Sequence, residues 1–327
     1  MKAAVYRRYG SPDVVQVEEL PTPVPRDGDV LVRIMASTVS SGDARARSLA
    51  VPAGFGPLGR PVFGFFKPRK PILGTELAGE VAAVGRRVTK FKVGDRVFAF
   101  PGFGLGCHAE YRTIPEDGRL LTMPTGATFE EAAAISFGGT TALHFLRDLA
   151  KVRPGERVLV IGGSGAVGSA AVQLAKHLGA VVTAVTSGRN VELVRGFGAD
   201  RVIDYTRRLW SSEGERYDVI FDTVGGADHA GCSASLTEGG RLLLAVATLP
   251  QLLGAGWTSR RSGHKVLAGN ARERLDDLRD LKALVEAGHF RPLIDSCYPL
   301  SKIVEAHARV ETGHKRGSVV VLMDGAT

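Results

Sequence analysis

Arg157-Val158-Leu159-Val160-Ile161-Gly162-Gly163-Ser164-Gly165-Ala166-Val167-Gly168 is the stretch on which the reading of this chain turns. An apolar run ends directly in glycines, and the glycines open a helix. The spacing Gly163-x-Gly165-x-x-Gly168 permits a tight turn, close approach of backbone to a pyrophosphate, and close packing of helix on strand. The first N–H groups of the helix and its dipole then face the phosphates. Downstream, Val167, Ala171, Leu174 and Leu178 share one helical face, Gly179 stops the helix, and Val181 to Val185 reads as a second strand. Strand, helix and strand make a βαβ unit of about thirty residues. Gly163, Ser164, Gly165, Ala166, Val167 and Gly168 are therefore candidate dinucleotide contacts; the competing reading is a glycine turn that only packs a helix on a sheet.

The same alternation continues on both sides of this unit. Thr128-x-x-Glu131 has the form of a capping box leading into a helix around Ala132 to Ile135, and a longer helix is expected through Ala142 to Leu149. Further strands are expected at Arg201 to Ile203, Asp218 to Phe221, Arg241 to Val246 and His264 to Ala268. Strands alternating with helices predict a parallel sheet covered on both faces. The first 120 residues differ, with short alternating runs such as Val30 to Ile34 and Val93 to Ala99 set among prolines and glycines. They predict a β-rich domain. The tail offers a helix at Leu275 to Ala287, another at Ile303 to Glu311, and a last strand at Ser318 to Leu322.

Composition narrows the function classes. At 327 residues the chain is long enough for two domains. No apolar stretch approaches the roughly twenty residues of a membrane span, and Met1 to Tyr6 reads as a strand rather than a leader, so a cytoplasmic protein without a membrane partner is expected. Cys107, Cys232 and Cys297 lie far apart with no Cys-x-x-Cys pair, which predicts inert thiols. The net charge of +8 comes from basic pairs separated by mixed segments, such as Arg207-Arg208, Arg260-Arg261 and Lys315-Arg316. That scatter argues against nucleic acid and favours a small anionic ligand.

Four more pieces accompany the glycine turn in one order: Gly74-Thr75-Glu76-Leu77-Ala78-Gly79-Glu80-Val81, Phe91-Lys92-Val93-Gly94-Asp95-Arg96-Val97, Ala109-Glu110-Tyr111, and Gly198-Ala199-Asp200-x-Val202-Ile203-Asp204-Tyr205. Together they resemble the medium-chain dehydrogenase/reductase superfamily, most of all its zinc-independent quinone oxidoreductase group. The resemblance implies an α/β protein: a Rossmann doubly wound parallel sheet, residues 124–271, inserted in a GroES-like β-rich catalytic domain, residues 1–123 and 272–327. It implies a cleft where substrate and nicotinamide meet, and a homodimer formed by pairing an edge strand, here His264 to Ala268. Zinc-dependent members carry Cys and His ligands where this chain has Ser40, Thr75 and Phe137, and it has no four-cysteine lobe. Such residues cannot supply zinc's soft or imidazole donors, so no metal is expected. His108, beside Cys107, lacks partners at ligand spacing and reads as a surface histidine.

Without a Lewis acid to stabilise an alkoxide, the acceptor must already be electrophilic. The expected activity is hydride transfer to a quinone or an α,β-unsaturated carbonyl, with an enoyl or alkenal double-bond reductase as the enzymatic alternative and a non-catalytic NADPH-binding protein as the third. The second strand ends in Thr186-Ser187-Gly188-Arg189, with no carboxylate in that run to bind a ribose 2′-OH. Ser187 and Arg189 suit a 2′-phosphate, hence NADPH, although Arg189 also reads as a solvated loop residue. The resemblance adds Tyr205 to the adenosine phosphate side and Thr141 to the nicotinamide end, where helix capping is an equal alternative. Val224 and Gly225, and Ala245 and Ala247, follow parallel strands at the edge where such sheets bind ligands. Catalytic candidates are Ser40 and Asp43, with a turn-forming role for Ser40 at least as well supported. Phe63, Phe65 and Phe66 form either an apolar lid over a substrate pocket or ordinary core filling.

Overall fold

A computed structural model describes residues 1–323, the side chains of residues 57, 58 and 213 excepted. The chain divides into two compact units, one comprising Met1–Val51, Gly56–Phe137 and the tail from Glu273, the other Pro52–Phe55 and Gly138–Arg272. The sequence reading set the junction near residue 123; the structure sets it at Phe137. The difference has a physical cause, since α3 (Phe129–Ala133) buries Ala132 and Ala133 and Glu76 accepts a bond from the Phe137 N–H, so both stay with the first unit.

The first unit begins with β1 (Lys2–Tyr6) against β2 (Val15–Glu19), then β3 (Asp29–Val39), α1 (Ser41–Ser48), α2 (Gly56–Phe63), β4 (Leu77–Val84), β5 (Arg96–Ala99), β6 (Tyr111–Pro115) and β7 (Leu120–Thr122). β3 is its centre. It pairs antiparallel with β4 on one side, and on the other with β6 and then the last strand of the tail. β3 buries residues of both faces, with Val30, Val32 and Ile34 at most 1% exposed on one and Leu31 and Met35 8% exposed on the other. Each such side chain contributes roughly 1.5–3 kcal/mol of burial.

After α3 and α4 (Ser136–Leu143) the chain enters the second unit, where β8 (Arg157–Ile161), α5 (Ala166–His177), β9 (Val181–Thr186), α6 (Val191–Gly196), β10 (Arg201–Asp204), β11 (Tyr217–Asp222), α7 (His229–Cys232), β12 (Leu236–Leu244), α8 (Leu249–Ser262) and β13 (Lys265–Ala268) follow. All pairings in this sheet are parallel, in the order β10-β9-β8-β11-β12-β13. That is the doubly wound dinucleotide-binding order, with its reversal between β8 and β11. α9 (Leu275–Glu286), β14 (Ile294–Pro299), α10 (Ile303–Glu311) and β15 (Ser318–Leu322) return to the first unit, β15 pairing with β3.

Several expectations change in detail. The helix expected through Leu149 is α4 continued by a π-turn, His144–Leu149. β12 ends at Leu244, two residues before the expected Val246, which leaves Ala245 to Ala247 as a loop at the sheet edge. His108 is not on the surface. It is fully buried, its Nε2 lies 2.9 Å from the Thr38 carbonyl, and its ring meets His307 edge-on at 5.7 Å. Sequence spacing had no access to α10, which supplies that cover. Cys107 and Cys232 are buried and Cys297 is exposed; burial raises all three thiols, the first two to about 12, so they stay protonated at neutral pH.

Candidate functional site

The turn after β8 is built as its glycines require. Gly162 has φ +87°, and the N–H groups of Gly162 and Gly163 both donate to the Val185 carbonyl, at 3.0 and 2.9 Å. A Cβ on Gly163 would stand 3.0 Å from Ala184 Cβ, and one on Gly168 would stand 2.0 Å from the Gly162 carbonyl oxygen. Packing therefore explains those two glycines. It does not explain Gly165, the N-cap of α5, which has ordinary extended dihedrals and would place a Cβ no nearer than 3.5 Å to any atom of the chain. No side chain caps α5. The clear space over Gly165 and the uncapped helix start suit an anionic group bound from outside the chain.

Around this turn the structure adds partners that motif reading missed. Ser164 Oγ accepts bonds from Thr186 Oγ1 and Asn190 Nδ2, both at 3.0 Å, and Asn190 Nδ2 also reaches Ser187 Oγ at 3.2 Å. These bonds join the glycine turn to the end of β9. Asn190 is buried and its Oδ1 has no partner. Ala166 and Val167 start α5, and Gly138 in α4 is required there because a Cβ would meet the Ala166 carbonyl at 2.4 Å. Thr141 lies one turn further along α4, half-buried. On α5, Ala171 and Leu174 are buried as expected, while Val167 and Leu178, read as part of the same face, are only half-buried.

Arg189 is exposed on the short turn Gly188–Asn190, and Tyr205 is 49% exposed just after β10. One carboxylate not weighed from sequence lies beside them. A Cβ on Gly188 would stand 2.6 Å from Asp204 Oδ2, so the neighbouring strand brings an acid to the end of β9. Bonds from the Thr206 hydroxyl and amide, with Arg207 at 3.6 Å, hold Asp204 below the usual carboxylate range. Its charge is answered within its own loop.

Further along the same sheet edge, Asp222 is fully buried and organises the loop after β11. Its Oδ1 accepts from the N–H groups of Val224 and Gly225 at 2.9 and 3.0 Å, and its Oδ2 from Ala227 at 2.8 Å. The signal was present, since an Asp followed by Thr-x-Gly-Gly has the form of a side-chain-closed turn. Gly225, at φ +92°, lies against Val246, and Val224 lies over Gly162. Ala245 and Ala247 are half-buried in the loop after β12, where Thr248 and Gln251 form the capping box of α8 and Gln251 Nε2 bonds back to the Ala227 carbonyl.

In the first unit, Ser40 and Asp43 form the capping box of α1. Ser40 Oγ donates to Asp43 Oδ2 at 2.6 Å and accepts from the Asp43 N–H at 3.1 Å, while Asp43 Oδ1 accepts from the Gly74 N–H at 2.8 Å. Both are buried and engaged by this cap. Glu76 is the acid the sequence reading passed over. It accepts from the Thr38 hydroxyl and, at 2.6 Å, from the Phe137 N–H; burial outweighs these bonds and pushes its pKa up to about 7. Of the aromatic candidates, Phe63 packs against the core of this unit, whereas Phe65 and Phe66 are 53% and 96% exposed. Of the three residues weighed from sequence as zinc positions, Ser40 has its hydroxyl engaged in the cap, Thr75 offers only a hydroxyl and Phe137 an apolar ring. That donor set does not fit zinc.

The alcohol dehydrogenase GroES-like domain profile matches residues 26–125, and the zinc-binding dehydrogenase profile matches residues 197–321. An Arabidopsis thaliana protein named NADPH-dependent alkenal/one oxidoreductase, chloroplastic, is 32% identical over 98% of this chain and 79% of its own length. This chain belongs to the medium-chain dehydrogenase/reductase superfamily, in its quinone oxidoreductase-like group. A quinone oxidoreductase of Pseudomonas aeruginosa is 31% identical over 98% of this chain and 99% of its own. Among solved structures, the quinone oxidoreductase from Coxiella burnetii superposes with a TM-score of 0.84 at 27% identity, covering 98% of this chain and 99% of its own. The superfamily's two-part architecture, a GroES-like β-rich domain and a Rossmann parallel sheet, is the fold described above.

Proposed function

We propose that this protein is a zinc-independent, NADPH-dependent reductase of quinones and α,β-unsaturated carbonyls. The observation that carries the reading is the uncapped start of α5 beneath Gly165, a glycine for which the protein's own packing has no need. When bound, the coenzyme supplies a hydride from the nicotinamide C4. The chain's residues hold and orient it. The N–H groups of Ser164, Ala166, Val167 and Gly168 take the pyrophosphate, while that of Gly165 closes the turn on the Gly162 carbonyl, and Thr186 and Asn190 keep Ser164 in place. Ser187, Arg189 and Tyr205 take the adenosine phosphate. The loop pinned by Asp222, with Val224, Gly225, Ala245, Ala247 and Thr141, lines the nicotinamide side. Within the first unit, Ser40 and Asp43 are engaged in the α1 cap and Phe65 and Phe66 offer exposed apolar surface to a substrate. Rate enhancement comes from proximity, and a conjugated acceptor delocalises the developing charge onto an oxygen that water protonates.

NADPH over NADH rests on Ser187 and Arg189 and on the local neutralisation of Asp204. Arg189→Ala is expected to raise the KM for NADPH about tenfold or more relative to that for NADH, the loss of one charge-assisted fork; equal effects on both would refute the assignment. Coenzyme oxidation should saturate with quinones and enones and run slowly with enoyl thioesters. The reverse order favours an enoyl reductase, and tight NADPH binding without turnover of any acceptor favours a binding protein. Stoichiometric zinc in the purified protein would sink the metal-free chemistry.

A homodimer through β13, which pairs only with β12 among the described residues, belongs to the same proposal; a monomeric mass in light scattering refutes it. A cytoplasmic location also belongs to it. No helix among the described residues is long and apolar enough to cross a membrane.

A further inference from the structure

Arg112, half-buried on β6, stands without a partner. Its Nε is shut off from solvent and bonded to nothing, and no hydrogen bond or ion pair engages its guanidinium among the described residues. Glycines make the room for it. A Cβ on Gly106, at φ +88°, would stand 2.2 Å from Arg112 Nη1, and one on Gly104 would stand 3.0 Å from Nη2. Between them Leu105 has φ 51° and ψ −165°, a region that residues with side chains rarely adopt. The loop is tied down around the guanidinium. The Gly102 N–H donates to the Thr75 carbonyl at 3.0 Å, the Phe103 N–H to Glu273 Oε1 at 3.2 Å, and Lys70 Nζ to the Phe103 carbonyl at 2.8 Å. A strained, fastened loop thus holds a cation that has no anion, an arrangement that costs stability unless a counter-charge arrives.

The charges around Arg112 are answered and its own is not. A cavity of about 430 Å³ opens beside it, lined also by Pro101, Ile114, Asp117, Arg119 and Leu275. Arg119, the other cation of this wall, is fully engaged: it donates to the carbonyls of Phe100, Pro101 and Glu273 and pairs with the Glu273 carboxylate at 2.8 Å. Asp117 pairs with Lys90. The acids that follow Leu275 at the start of α9 are matched in turn, Asp276 by Arg279 at 2.6 Å and Asp277 by Arg274 at 3.1 Å. The cavity is left with the single positive charge of Arg112.

We propose that this cavity binds a small organic monoanion, its carboxylate forked on the Arg112 guanidinium and its apolar body against Pro101, Ile114 and Leu275. The paired N–H groups of a planar guanidinium match the two oxygens of a carboxylate. The volume is that of a small-molecule site and far exceeds a bare ion, and the prolines, Ile114 and Leu275 give it the apolar walls such sites have. One surplus charge selects a monoanion over a doubly charged ester. The site lies wholly within the first unit, and the inference is independent of the coenzyme and of the proposed chemistry.

The test titrates the full chain with 4-fluorobenzoate and follows the fluorine resonance by NMR, with and without NADPH. Saturable binding at one site, unchanged by NADPH, is expected, and 4-fluorobenzamide, of the same shape but uncharged, should not bind. Arg112→Met should weaken the affinity about tenfold or more, and Arg112→Lys, which keeps the charge and loses the fork, should weaken it to a smaller extent. Arg189→Ala should leave it unchanged. Without ligand, Arg112→Met should melt no lower than wild type, because an apolar side chain replaces an unpaired charge. Failure to saturate in the millimolar range overturns the proposal, as does binding that survives Arg112→Met or is matched by the benzamide. Displacement of the probe by an equal concentration of inorganic phosphate would make this a bare-anion site and sink the organic ligand. A melting temperature lowered in both Arg112 variants would make the residue a brace for its loop, and the binding site would fall.

Discussion

Gly165 and Gly168 lie one helical turn apart, and the nucleotide reading predicts opposite fates for them when each is changed to alanine. In Gly168→Ala the new Cβ falls 2.0 Å from the Gly162 carbonyl oxygen and 2.7 Å from its carbon, both backbone atoms that cannot rotate away. Overpacking of this kind costs typically 1–3 kcal/mol, against about 1 kcal/mol regained in helix propensity. The net loss, up to about 2 kcal/mol because the clash is with backbone that cannot move aside, appears as a lower melting temperature of the coenzyme-free protein, at roughly 2–4 °C per kcal/mol for a domain of this size. In Gly165→Ala the nearest atom is 3.5 Å away and φ is −77°, so the protein accepts the methyl group. The weaker N-cap costs about 0.5–1 kcal/mol and the stiffer unfolded chain returns about as much. Its melting temperature should therefore stay within about 2 °C of wild type, while its NADPH affinity falls tenfold or more because the methyl group occupies the path to the phosphates. Thermal unfolding without coenzyme and fluorescence titration with NADPH separate the two. Wild-type affinity in Gly165→Ala would refute the reasoning, and so would a coenzyme-free melting point lowered as far as that of Gly168→Ala.

Two further outcomes follow from buried carboxylates. Asp222→Asn retains one acceptor oxygen for the three N–H groups of Val224, Gly225 and Ala227 and sets an NH₂ against at least one of them, which costs about 1–3 kcal/mol and should raise the KM for the coenzyme; an unchanged urea midpoint would contradict it. Glu76 has a folded pKa of about 7, raised from 4.5, so its contribution is most favourable below about 4.5 and is lost as pH rises through about 7. Glu76→Gln should therefore gain on wild type between those limits by up to about 3 kcal/mol in urea unfolding, and a pH-independent difference would show that Glu76 ionises normally.

How far the sequence carried the argument depended on the range of the interactions concerned. The βαβ unit, the Thr128 capping box and the alternation that makes a parallel sheet were legible because each is written in residues a few positions apart. The Ser40-x-x-Asp43 cap was equally local and was readable as a turn. Asp204 escaped notice because it arrives from the next strand, and His108 because α10, nearly two hundred residues later, covers it. Glu76 was quoted within a motif, but nothing near it in the chain announces that Thr38 and Phe137 close over its carboxylate.

The amino-acid order alone thus determined the architecture, the glycine turn that opens α5 and the unsuitability of Ser40, Thr75 and Phe137 as zinc donors, since turn geometry, hydrophobic period and donor chemistry are properties of short segments. Only tertiary structure decided where one unit ends at Phe137, which carboxylates are buried and bonded, and that α8 turns Leu252, Leu253 and Trp257 outward. Those outcomes depend on which distant backbone groups and side chains close over each residue, and burial, unlike periodicity, is a property of the whole fold.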